Sequence, residues 1–123
     1  MNPQFREEIL LNAVVATTTS NPFNIEGLKR VGLQFLAASI TSGNGVFTVD
    51  GTIDGINWVA LNMLIDNVTN TNVQNPTRVA SKTLSSNSSV LVWLDNFLGL
   101  KAIRVKVTRT TDGAYSAFAI GSE

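Results

Sequence analysis

Neither cysteine nor histidine occurs anywhere in the 123 residues. The first absence removes disulfides, thiolate nucleophiles and cysteine-ligated metals, and with them any signal about redox compartment. The second removes the commonest general base, the Ser–His pair, His-containing zinc sites and histidine-ligated haem. Charge is also scarce, at 15% of residues against the ~25% of an ordinary globular chain. Nine basic residues balance nine acidic ones, so no net positive field exists to collect phosphates, and nucleic acid is not an expected partner. Lys101, Arg104, Lys106 and Arg109 come nearest to a basic cluster, and their spacing reads as the solvated face of one strand. Long apolar runs are missing as well. No stretch reaches the ~20 residues of a membrane-spanning helix, and no membrane partner is expected. The opening MNPQFREEILLNAVVA sets Glu7 and Glu8 before a short apolar run and has no basic leader, unlike a signal peptide. The expectation is a chain made in a cytoplasm that stays soluble unless an assembly carries it elsewhere.

Without thiols or imidazoles, acid/base chemistry would fall to carboxylates with separated pKa values. Asp50, Asp54, Asp66, Asp95 and Asp112 almost all stand in turn sequences beside Gly or Asn, where Asp serves as a turn former. The reading is therefore a protein that is not an enzyme and carries no cofactor.

What is present is β-strand material. Apolar residues make up 44% of the chain, and Thr, Ser and Asn replace the missing charge. At this length the chain is one domain, 1–123, able to bury roughly 65–70% of its unfolded surface without a disulfide or metal. Leu28–Ile40 alternates, with Val31, Leu33, Phe35 and Ala37 on one face. Leu36, Ala38 and Ile40 make the other face apolar too, as in a strand covered on both sides. Gly32 could mark a bulge. Leu100–Arg109 turns Ile103, Val105 and Val107 inward and Arg104, Lys106 and Thr108 outward. Further strands are expected at Leu10–Thr18 (preferred to a helix over Pro3–Leu11), Val46–Val49, Trp58–Ile65, Arg78–Leu84, Val90–Leu94 and Ala114–Ile120. In Val90–Leu94, Leu91 and Trp93 face away from Val90, Val92 and Leu94. Hairpins are expected at Thr41–Gly45 and Thr111–Gly113, and an exposed Asn/Thr loop over Asp66–Pro76. The sum is an all-β fold, an antiparallel sandwich of about eight strands, jelly-roll-like.

The densest signal is GVFTVDGTIDGINWVALNMLI, Gly45–Ile65. Asp50, Thr52 and Asp54 resemble the start of a calcium loop, but the twelfth position, where an EF-hand has its bidentate Glu, is Leu61. Turn chemistry explains these residues better, and Trp58 is expected to close the core at the return strand. Trp58, Trp93 and Tyr115 could instead stack on sugars. A carbohydrate-binding module using Trp58, Asp54 and Asn57 is accordingly a competing reading, although Trp93 reads as core. Asn67-Val68-Thr69 and Asn87-Ser88-Ser89 match the glycosylation acceptor pattern, which carries no weight without a secretory signal.

The segment VDGTIDGINWVAL, Val49–Leu61, resembles a hairpin of small β-sandwich virion proteins of tailed bacteriophages, with Gly-Thr, an Asp-Gly turn and a returning Asn-Trp. LKAIRVKVTRTTDGAYSAFAIGSE is similar to their closing hairpin. Together the two segments cover about a third of the chain. The resemblance implies a structural role: a capsid decoration or auxiliary head protein, or else a tail, baseplate or fibre subunit, located in the virion. The implied partners are copies of itself, in the first place as a trimer, and the major capsid protein or other virion proteins. No catalytic residues carry over. The apolar start of the chain, within 1–15, is expected to be an intersubunit or capsid-anchoring arm. Phe5, Ile9, Leu10, Leu11 and Leu36 are the candidate interface residues.

Overall fold

The computed structural model describes residues 5–67, 75–95, 97 and 99–123. They form twelve strands and, among the described residues, no helix. The strands are β1 Phe5–Val14, β2 Thr18–Thr19, β3 Phe23–Asn24, β4 Arg30–Ala38, β5 Asn44–Thr52, β6 Val59–Leu61, β7 Met63–Asn67, β8 Asn75–Val79, β9 Lys82–Leu84, β10 Ser88–Leu94, β11 Ala102–Thr110 and β12 Ala114–Ser122. Two antiparallel sheets result. The first runs β1-β12-β4-β10-β7-β8; the second runs β2-β11-β5-β6, with β3 also paired to β11 and β9 to β5. The fold is an all-β sandwich, as the composition and strand spacing indicated.

The core lies between the sheets and is built by alternation. Val31, Leu33, Phe35 and Ala37 of β4 point inward against Ile103, Val105 and Val107 of β11, all at 3% exposure or less. Strand pleating sends every second residue to the same face, so one register places the whole set. At the centre the Phe35 and Phe47 rings stack with centroids 4.4 Å apart, and Tyr115 meets Phe47 edge-on at 6.0 Å. Such aromatic contacts add about 0.5–1.5 kcal/mol to the burial of the rings themselves. The facing β12 contributes small residues, Ala117 and Ala119, which make room for these rings.

Several expectations need correction. The first strand spans Phe5–Val14, earlier than Leu10–Thr18, and lies at the edge of the first sheet, paired with β12 over Phe5↔Ser122 to Val14↔Tyr115. The Gly32 backbone keeps regular register opposite both Ile120 and Trp93, so it is not a bulge. Thr41–Gly45 and Thr111–Gly113 do not close hairpins. Each carries the chain from one sheet to the other, because β4 and β12 belong to the first sheet and β5 and β11 to the second. Trp58–Ile65 is not one strand: β6 pairs with β5, then the chain breaks at Asn62 and β7 joins β10 in the opposite sheet. Polar turns with Asn and Gly serve both hairpins and corners, and local sequence does not distinguish them. Of the loop expected over Asp66–Pro76, the ends pair as Asp66↔Pro76 and Asn67↔Asn75, and 68–74 lie outside the described residues.

Candidate interaction surface

Each end of the sandwich is held by one aspartate. At the first end Asp112 accepts hydrogen bonds from the backbone N–H groups of Thr41, Ser42 and Gly43, at 2.9–3.3 Å. Partial burial would push its carboxyl pKa up, but the three donors outweigh it and hold the group below its ordinary value. Tyr115 donates its hydroxyl hydrogen to the Asp112 carbonyl, and Arg109 donates to the Gly113 carbonyl. The two corners between the sheets are thereby tied together.

At the opposite end Asp54 organises the β5–β6 turn. Its Oδ1 accepts from the N–H groups of Ile56 and Asn57 at 2.7 Å, and its Oδ2 accepts from the Asn57 side chain. Thr52 Oγ1 donates to Asp54 Oδ1 and accepts from Gly55 N–H. The Asn57 and Ile56 backbone donors hold the Asp54 pKa well below the usual carboxylate range. Both carboxylate oxygens thus serve the turn. Among the described residues no three Asp or Glu side chains come together as a metal cluster would require. Asp50, the first position of the calcium-like pattern, instead pairs across the strands with Arg104 at 3.5 Å. The turn fixed in this way holds Ile53 and Ile56 out to solvent, 73% and 79% exposed.

The residues read as a sugar platform are dispersed. Tyr115 is fully buried between the sheets. Trp58 does not close the core: it is half-buried on the second sheet, and the Arg104 guanidinium lies over its ring, 4.4 Å from the centroid. This cation–π contact adds to the Asp50 ion pair in seating the guanidinium, whose buried Nε has no hydrogen-bond partner among the described residues. Trp93, read as core, is 41% exposed on the outer face of the first sheet. Asp54 and Asn57 bond to each other within their turn.

That outer face is the main apolar surface among the described residues. Ile9, Phe118, Gln34 and Leu91 share one cross-strand row; Glu7, Ile120, Gly32, Trp93, Leu64 and Arg78 share the next. Ile9, Leu91 and Ile120 are 59%, 56% and 46% exposed. Gly32 lacks a side chain between Ile120 and Trp93, and a groove of about 590 Å³ opens along this face. A second depression of about 310 Å³ continues it past Phe5 and Arg30. Of the sequence candidates, Phe5, Ile9 and Leu36 converge on this face. Leu10 packs half-buried against the core, and Leu11 lies within it at 2% exposure, so Leu11 is not an interface residue of this subunit. Leu64, Leu91, Trp93, Phe118 and Ile120 were missed. Their signal was present in the second apolar face of β4 and in the outward pairing of Leu91 with Trp93.

No family model and no curated protein matches the chain. Among solved structures, the crystal structure of the SPBc2 prophage-derived protein YomS is similar, with a TM-score of 0.73 at 10% identity. The likeness covers 100% of this chain and 96% of that one. At this identity it is a likeness of fold: the whole sandwich, from first strand to last, recurs in a protein encoded by a prophage.

Proposed function

We propose that the chain is a non-enzymatic structural protein of a bacteriophage virion, in the first place a decoration or auxiliary protein of the head. The observation that carries this reading is the full-length fold likeness to a prophage-derived protein. The Val49–Leu61 hairpin, similar to that of phage virion sandwiches, supports it from an independent direction. The strand orders β1-β12-β4-β10 and β2-β11-β5-β6 support reading the sandwich as a jelly roll with β7 and β8 added at one edge. A subunit of this kind acts through interface area, and an array of copies turns a weak contact into a durable one by avidity. Two apolar surfaces suit such work: the outer face of the first sheet and the Ile53/Ile56 tip. We assign the tip to contact with the capsid, because its isoleucines stand on a turn made rigid by Asp54.

The test is to add purified protein to capsids assembled without it and measure what cosediments. The wild-type chain is expected to bind, and the double variant Ile53→Ser/Ile56→Ser to lose at least tenfold in affinity while keeping its fold. Failure of the wild type to bind capsids, together with immunogold label on tails, would move the protein to a tail, baseplate or fibre role.

A further inference from the structure

We infer that the outer face of the first sheet is a self-pairing surface, which joins two copies of this chain face to face about a twofold axis parallel to the strands, between β4 and β10. The sheet order β1-β12-β4-β10-β7-β8 has its midline there. A twofold axis along that line sets β4 against the partner's β10, β12 against the partner's β7 and β1 against the partner's β8. Isologous twofold contacts are the commonest way for a chain to pair with itself.

The face is self-complementary under this operation. The central row reads Glu7, Ile120, Gly32, Trp93, Leu64, Arg78 from edge to edge. The axis places the Trp93 indole of one copy over Gly32 of the other, a large side chain over the one position without any. Ile120 meets Leu64, and Glu7 at one edge comes opposite Arg78 at the other, whose 58%-exposed guanidinium already pairs with Asp95 of its own subunit. In the neighbouring row Gln34 meets Leu91. The twist of packed sheets, about 30°, shifts the outermost pairs more than the central ones, so Trp93 over Gly32 is the anchor.

Area decides between a pair and a chance contact. Six strands about 4.8 Å apart and about seven residues long span roughly 670 Å² when treated as flat. A pleated surface exposes more than its flat projection, so the face approaches the ~800 Å² per partner of a stable interface.

The chain's lack of cysteine allows a clean test with purified protein alone, so failure here leaves the virion reading intact and failure to bind capsids leaves this one intact. Sedimentation over a concentration series is expected to show a monomer–dimer equilibrium. Gly32→Ala is the sharpest variant. Its Cβ would sit in ordinary contact within one subunit, 3.8 Å from Ile120 and 3.9 Å from Trp93, yet it fills the seat of the partner's indole. We expect at least a tenfold weaker dimer, with an unchanged melting temperature at concentrations where both proteins are monomeric. Leu91→Glu, at an exposed position, should dissociate the dimer in the same way. Gln34→Cys, near the axis, is expected to give covalent dimers with a bismaleimide that spans the ~10 Å between packed sheets, whereas Ser86→Cys, in a loop at one end, is not. A strict monomer, a trimer, a dimer indifferent to both Gly32→Ala and Leu91→Glu, or cross-linking through Ser86→Cys alone would overturn the inference.

Discussion

Gly45 shows how one missing side chain admits the core aromatic. A Cβ built on it would lie 2.5 Å from the Tyr115 ring, which is fully buried and has nowhere to retreat. Gly45→Ala is therefore expected to cost about 1–3 kcal/mol, as overpacking does, measured as a lower urea midpoint with unchanged m-value. Asp112 acts by charge. Because its folded pKa is depressed, its contribution is complete above its unfolded value of 3.8 and is lost as pH falls through the folded value. Asp112→Asn should melt a few degrees below wild type near neutral pH, and the gap should close in acid below about pH 4. A gap that stays constant from neutral to strongly acidic pH would mean that the carboxylate's charge plays no part. Asp54 follows the same sign, so the sandwich loses both end pins on acidification. The turn role of Asp54 was readable from its Asp-Gly setting. That of Asp112 was only half readable: the sequence marks a turn, but its donors at Thr41–Gly43 lie some seventy residues away.

At the scale of elements, legibility depended on whether the two faces of a strand differ. In β11 apolar and charged residues alternate, and the inward set Ile103, Val105 and Val107 was plain. In β4 and β10 both faces are apolar. The sequence shows two apolar faces but not which of them meets the core, and for that reason Trp93 was misread as interior. Sheet switching was invisible for a related reason. Met63 faces the core from β7 after Leu61 has done so from β6, and the hydrophobic pattern runs on unchanged while the backbone changes partners. The short strand β2 is pinned to β11 at one end by Thr17 Oγ1, which accepts from Arg109 N–H, and at the other by Ser20. Ser20 Oγ accepts the buried Val105 N–H at 2.9 Å, and Ser20 N–H donates to the Val105 carbonyl at 2.8 Å. Ser20→Ala leaves the Val105 donor unpaired and is expected to cost about 1–3 kcal/mol. Loss of amide-exchange protection should appear at Val105 before it reaches the β5 side of β11.

At the scale of the whole molecule, the core that holds the fold and the surfaces proposed for assembly lie on different faces. The Phe35–Phe47–Tyr115 stack fastens the sheets together, and Phe47→Ala is expected to cost about 3–5 kcal/mol, measured by denaturant unfolding. The outer apolar face and the isoleucine tip lie outside that core, and substitutions there should leave the melting temperature of the monomer within about a degree. Fold class was legible because strand periodicity and turn spacing are local. The outer apolar face was not, because it is assembled from β1, β12, β4, β10 and β7, which are mostly far apart in sequence and adjacent only in the sheet. The proposed role requires that this chain be built into the virion. Quantitative mass spectrometry of gradient-purified virions tests it most directly. The chain should be present in a fixed ratio to the major capsid protein from one preparation to the next. Its absence from purified particles, with the protein left in the lysate, would contradict a structural role in the virion.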